Sequence, residues 1–174
     1  MILTADYARL KKIPYFGLCL GMQIMTIAYA RNILKLKDAN STEMDPETPH
    51  PVIATMADQV DKIKNKNYGA TMRLGAYPAM LKRGSLASAA YGQAEISERH
   101  RHRYEVDNKY VEQLQKAGLV FSGVSPDGTL MEIAELPKKD HPFYLGTQFH
   151  PEFKSRPFAP HPLFTAFVKA AKRK

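Results

Sequence analysis

Cysteine is nearly absent: Cys19 is the only one in 174 residues. An intrachain disulfide framework is therefore impossible, and a reducing compartment, the cytoplasm, is the simpler expectation. Internal repeats, low-complexity tracts and interdomain linkers are also missing, so the length implies one compact unit spanning residues 1–174. Acidic residues are in deficit, with 17 Asp+Glu against 25 Lys+Arg and a net charge of +8. That balance suits an anionic partner without naming one. Hydrophobic residues at 44% and charged residues at 24% are ordinary globular usage, which excludes disorder, collagen and coiled coil.

One stretch lacks charge altogether. Ile13 to Ala30 runs for 18 positions without a charged side chain, follows Arg9, Lys11 and Lys12, and ends in Ala28-Tyr29-Ala30. This is the outline of an export signal or a short membrane helix. Asp6 ahead of it, Pro14 at its start and Gly17, Gly21 and Gln23 within it speak against a uniform apolar helix. Cleavage after Ala30 would also remove the lone cysteine. The same residues read instead as strand, turn and helix, with no membrane association.

The remaining pattern supports an α/β domain. Residues 2–12 have helical composition, Ile13 to Leu18 reads as a buried strand, Gly17 and Gly21 bracket a tight turn, and Met22 to Tyr29 is helical. This helix–strand–turn–helix opening is the repeating unit of a parallel α/β sheet. Residues 38–51 read as loop or edge, Pro51 to Met56 as a strand, 58–70 as a surface loop, and Thr71 to Ala76 as extended chain. Lys82 to Gly92 is too weakly patterned to place. Asn108 to Ala117 is a helix stopped by Gly118. Leu119–Val124 and Thr129–Leu136 are strands joined by Ser125-Pro126-Asp127-Gly128. Phe143 to Phe149 is a further strand, and Leu163 to Ala171 is a closing amphipathic helix.

Gly17-Leu18-Cys19-Leu20-Gly21 has the form of a nucleophile elbow with cysteine at its apex. A sharp strand-to-helix turn projects the side chain from the sheet edge beneath the positive end of the next helix. That placement is expected to depress the thiol pKa. It also offers the Leu20 N–H to an oxyanion. The alternative is a buried, inert cysteine.

A thiolate nucleophile needs an imidazole partner. His50 and His161 each precede a proline in a loop and read as surface residues, and His141 also precedes one, where capping or solvation accounts for it. His150 differs, lying just past an apolar strand and two residues before Glu152, so the carboxylate can orient the ring. The densest charge is Arg99-His100-Arg101-His102-Arg103. If extended, it places Arg99, Arg101 and Arg103 on one face and His100 and His102 on the other. A solvated face, a phosphate or nucleic-acid patch and a carboxylate grip all fit. The scattered remaining lysines disfavour nucleic acid, and a zinc site at His100 and His102 would want further ligands.

The stretch Ile13-Pro14-Tyr15-Phe16-Gly17-Leu18-Cys19-Leu20-Gly21-Met22-Gln23 resembles the elbow of the class I, triad-type glutamine amidotransferases. With Asn40-Ser41-Thr42-Glu43, Thr71-Met72-Arg73-Leu74-Gly75, Glu98 to Val106, Gln148-Phe149-His150-Pro151-Glu152-Phe153 and Ser155-Arg156-Pro157, the resemblance narrows to the glutaminase domains of the CTP synthase family.

The resemblance implies an α/β, flavodoxin-like open sheet and hydrolysis of L-glutamine to glutamate and ammonia through a cysteinyl thioester. Cys19 would be the nucleophile, His150 the base and then the acid, and Glu152 the group orienting His150. Leu20, Gly21, Met22 and Gln23 correspond to the segment lining the glutamine pocket, and Glu43 and Arg103 to further substrate contacts. An anion and a cation are the minimal pair for a zwitterionic amino acid. No metal or cofactor is implied for this domain. ATP, UTP and magnesium belong to a synthetase domain that receives the ammonia, and the intact enzymes are expected to be homo-oligomers.

This sequence departs from the family in having no P-loop pattern and no glycine before Gly17, where the family's second oxyanion donor lies. A domain incomplete at its amino end is thus expected. The alternatives are a catalytically weak or inactive homologue acting as a binding or regulatory module, and a cysteine hydrolase of another γ-glutamyl compound.

Overall fold

The computed structural model describes residues 1–55 and 72–172. The loop expected over 58–70 lies outside them, as do Met56, Thr71, Arg173 and Lys174 at the ends of other expected elements. Helix α1 (Ile2–Leu10) leads to β1 (Tyr15–Leu18) and α2 (Leu20–Asn32), followed by β2 (Ala39–Ser41), β3 (His50–Thr55) and β4 (Arg73–Leu81). Then come α3 (Leu86–Tyr91), β5 (Glu95–His102), β6 (Tyr104–Val106), α4 (Asn108–Lys116), β7 (Val120–Val124) and β8 (Met131–Glu135). The chain closes with β9 (Tyr144–Thr147), a 3-10 turn (Pro151–Lys154) and α5 (Pro162–Ala171).

Six strands form one open sheet in the order β1-β9-β8-β7-β4-β5, and β2-β3-β6 form a smaller one. The α/β class agrees with the sequence, but the sheet is mixed. Among the described residues, parallel pairing is confined to β1 with β9 and β2 with β3. Strands β4, β5, β7, β8 and β9 pair antiparallel along the rest of the large sheet, and β7 and β8 are joined by the tight turn at Ser125–Gly128.

Helix α2 explains the uncharged run. Every residue from Met22 to Ala30 is buried, because the helix lies between the two sheets, against β1 and β9 on one side and β2, β3 and β6 on the other. A helix covered all round has no need of a polar face. Among the described residues no helix is long and apolar enough to cross a membrane.

Two elements are not apparent from sequence pattern. The segment 82–92 contains α3, capped by Ser85, whose Oγ accepts from the Ser88 N–H, and closed by Gly92 at φ 69°. The buried Glu135 carboxylate accepts the N–H groups of Leu86 and Ala87, so a partner remote in sequence stabilises this short helix. Strand β5 is masked by its charge. It alternates strictly, burying Ile96, Glu98, His100 and His102 and exposing Glu95, Ser97, Arg99 and Arg101.

Candidate active site

The turn from β1 into α2 is an elbow. Cys19 sits at φ 47°, ψ −101°, a conformation that a non-glycine residue adopts only under restraint. The restraint is visible in the bonds around it. The Cys19 N–H donates to Thr147 O at 2.7 Å, and its carbonyl accepts from Met22 at 3.0 Å and Gln23 at 3.3 Å. A Cβ on Gly17 would lie 2.6 Å from the Gly21 carbonyl, so strand and helix meet there only without a side chain. Gly21 is less constrained, its nearest added contact being the Tyr15 hydroxyl at 3.7 Å. That hydroxyl donates to Gly21 O at 2.8 Å and fixes the first turn of α2.

Parallel register brings the second group to the same edge. Leu18 pairs with Thr147, so the residues after each strand, Cys19 and Gln148–His150, emerge together from the sheet. The Gln148 amide lies 3.8 Å from Cys19 Sγ. His150 Nδ1 lies 2.6 Å from Glu152 Oε1, and His150 Nε2 is buried without a hydrogen-bond partner among the described residues. A carboxylate accepts, so Nδ1 carries the proton and Nε2 presents a lone pair. That is the tautomer a general base requires.

A cavity of about 290 Å³ opens over the thiol, lined by Cys19, Leu20, Gln23, Glu43, Arg103 and Tyr104, together with Met72, Arg101 and His102. Of the residues expected from sequence, Cys19, Leu20, Gln23, Glu43 and Arg103 meet here. Gly21 and Met22 are not among the residues that line this cavity. Met22 is fully buried against the core, where a Cβ at Gly146 would lie 2.9 Å from it. Met72, Arg101, His102, Tyr104 and Gln148 belong to the sequence motifs, but only the folded chain brings them to the site. The Gln23 amide donates to Tyr104 O at 3.0 Å, joining α2 to the strand that follows the basic run. A groove of about 360 Å³ between α3 and α5 has no cysteine, histidine or carboxylate in its lining.

Beneath the cavity lies a buried charge network. Arg73 holds Glu132 at 2.7 Å and Glu105 at 3.1 Å, and His100 Nδ1 meets His102 Nε2 at 2.8 Å. Burial, then the Arg73 charge, lowers His100 to about 2 and His102 to about 3, so both rings are neutral. Burial raises Glu105 to about 8 despite Arg73. The two histidines share one hydrogen bond through one nitrogen of each ring, while His100 Nε2 and His102 Nδ1 are buried without a hydrogen-bond partner among the described residues, the latter 3.3 Å from Glu105 Oε1. Among the described residues no group of three or more His, Cys, Asp or Glu is placed to hold a metal ion.

Two further expectations need correction. The Cys19 thiol is raised, not depressed: burial outweighs the Leu20 N–H, which lowers it, and Glu105, Glu152 and Glu43 raise it further. A helix end supplies only partial charge, which does not offset the cost of forming a full thiolate charge out of water. His141 and His161 are buried rather than solvated. His141 Nε2 lies 3.1 Å from Ala8 O, and His161 caps α5 through its Nδ1. His50 is half-buried at the start of β3.

The elbow with its cysteine, an imidazole oriented by a carboxylate at the same sheet edge and a charged cavity make one candidate site on an α/β sheet, and the class I glutamine amidotransferase family matches residues 1–170. The chain belongs to that family. It is 60% identical over 166 residues to a CTP synthase of Saccharopolyspora erythraea and 60% identical over 166 residues to one of Rhodococcus jostii, each match covering 95% of this chain. It spans only 29% and 28% of those relatives' lengths. Among solved structures, the glutaminase domain of Trypanosoma brucei CTPS with bound acivicin matches with a TM-score of 0.91 and 39% identity, over 99% of this chain and 65% of that one. A glutamine amido transferase from Methylobacillus flagellatus matches over 87% of this chain and 43% of that one, with a TM-score of 0.52 and 14% identity, and shows the fold alone.

Proposed function

We propose that this chain hydrolyses L-glutamine to glutamate and ammonia, with Cys19 as nucleophile, His150 as base and acid, and Glu152 orienting His150. The observation that carries this reading is the cavity, which sets the thiol among a carboxylate, Glu43, and a guanidinium, Arg103. Those charges complement the ammonium and carboxylate of a free amino acid, which leaves the side-chain amide for the sulfur.

In this mechanism His150 Nε2 takes the thiol proton as Sγ attacks the carboxamide carbon. The oxyanion forms beside the Leu20 N–H. Collapse breaks the C–N bond, His150 returns the proton to the leaving nitrogen, and ammonia departs. Water, deprotonated by His150, then cleaves the thioester, releasing glutamate and restoring the thiol. Because a neutral thiol is favoured at rest, proton transfer to His150 and attack are coupled.

The relatives named CTP synthase support a destination for the ammonia, the amination of UTP to CTP. A synthetase domain would be the partner there, with its own need for ATP, UTP and magnesium and no cofactor in the glutaminase part. Release of glutamate and ammonia from glutamine, abolished in Cys19→Ala, tests the reading. Charge reversal at Glu43 and at Arg103 should each raise the glutamine requirement. Labelling of Cys19 by a glutamine-like electrophile without turnover would instead favour a binding module.

A further inference from the structure

The segment that carries the acid–base pair has little structure of its own. Residues Pro151–Lys154 form a single 3-10 turn, with Glu152 and Phe153 exposed, and so short a helix does not hold its own position. Its placement comes from strand β5. His150 N donates to Arg99 O at 2.8 Å at the start of the segment, and Lys154 Nζ donates to Ser97 O at 2.6 Å at its end.

Lys154 also lies 3.8 Å from Oε1 of Glu98, a carboxylate only 3% exposed on the inward face of β5. The same oxygen accepts from the Tyr91 hydroxyl at 3.0 Å and lies 3.0 Å from His161 Nε2. His161 Nδ1 accepts from Leu163 N–H, so the ring proton sits on Nε2 and is donated to Glu98. The His161 N–H reaches back to Ser155 Oγ at 3.2 Å, just past the 3-10 turn. Glu98 thus ties α3, α5 and the C-terminal end of the segment, at Lys154 and Ser155, to one point, while its neighbour Arg99 holds the other end through its carbonyl. The Glu98 Oε2 is buried with no hydrogen-bond partner among the described residues. A buried carboxylate is a poor route to stability alone, and such groups are best kept where they fix one geometry.

We propose that Glu98, acting through Lys154 and His161, is the positioning residue that holds the His150–Glu152 pair at the sheet edge it shares with Cys19. Glu98 touches no substrate; it sets where the imidazole stands. The kinetic part of this inference rests on the glutaminase reading above, while the placement of His150 is measurable without it.

The test uses the full chain in three forms: wild type, Glu98→Gln and Lys154→Met. Lys154 is exposed, so its replacement leaves the fold intact even if Glu98→Gln unfolds. Ring nitrogen NMR of His150 should show the Nδ1-protonated tautomer in wild type and a mixture of tautomers in both variants. Glutamine hydrolysis should fall about 10- to 100-fold in kcat with KM changed less than about twofold, the signature of a misplaced catalytic group. Lys154→Arg should restore most of the rate. An unchanged tautomer in Lys154→Met overturns the proposal whether or not the chain turns over glutamine. A wild type that neither hydrolyses glutamine nor is labelled at Cys19 overturns the functional reading, and the NMR result still decides this one.

Discussion

His150 Nδ1 stands 2.6 Å from Glu152 Oε1, two residues along the chain, and this bond places the ring proton on Nδ1. Glu152→Gln keeps the shape but allows the ring to turn and no longer stabilises its cation. Turnover of glutamine should fall by about 10²- to 10⁴-fold, with labelling of Cys19 by a glutamine-like electrophile slowed in parallel. Wild-type rates in this variant would remove Glu152 from the mechanism.

Alkylation of Cys19 by iodoacetamide should follow the thiol upward in pH. Burial and the charges of Glu105, Glu152 and Glu43 all disfavour the thiolate, so the midpoint of the rate–pH curve should exceed the ordinary thiol value. Removing one negative charge favours the thiolate, and Glu43→Gln should move the midpoint down. A wild-type midpoint near or below about pH 7 would contradict this account.

Stability should respond to pH through the buried network. Glu105, raised to about 8, holds a proton in the folded state that the unfolded chain has lost above its usual carboxylate pKa. Its contribution is therefore full below about 4.5 and is lost as pH rises through about 8. His100 and His102 are lowered, so theirs is present above about 6.5 and is lost as pH falls toward 3 and 2. Denaturant unfolding should show Glu105→Gln less sensitive than wild type between pH 6.5 and 8. Identical slopes would refute the assignment.

The two glycines of the elbow should behave differently. Gly17→Ala drives a Cβ to 2.6 Å from the Gly21 carbonyl and should cost about 1–3 kcal/mol along with activity. Gly21→Ala meets only the Tyr15 hydroxyl at 3.7 Å and lies within α2, so stability should hold or rise by up to about 1 kcal/mol. Thermal unfolding of both variants checks the contrast.

The opening of the chain is legible because local rules and tertiary demands agree there. A short apolar strand, a cysteine between glycines and a helix of buried residues leave few other arrangements. The His150–Glu152 step is legible for the same reason, since both residues lie within one turn. Strand β5 is not, because its inward Glu98, His100 and His102 look like solvated charge until Arg73, Glu132 and His161 are brought to them across the fold. Helix α3 is hidden because Glu135, a distant strand residue, completes its amino end.

The order of residues alone marked Cys19 as the candidate nucleophile, its setting on a tight turn, and the carboxylate beside the imidazole, since each depends on neighbours in sequence. Only the tertiary structure decided that Cys19 and His150 share one sheet edge, that Glu43 and Arg103 open onto the same cavity, and that the thiol is held neutral. Those outcomes depend on strand register and on charges converging from several elements in a low-dielectric interior, and neither is encoded in any local stretch of chain.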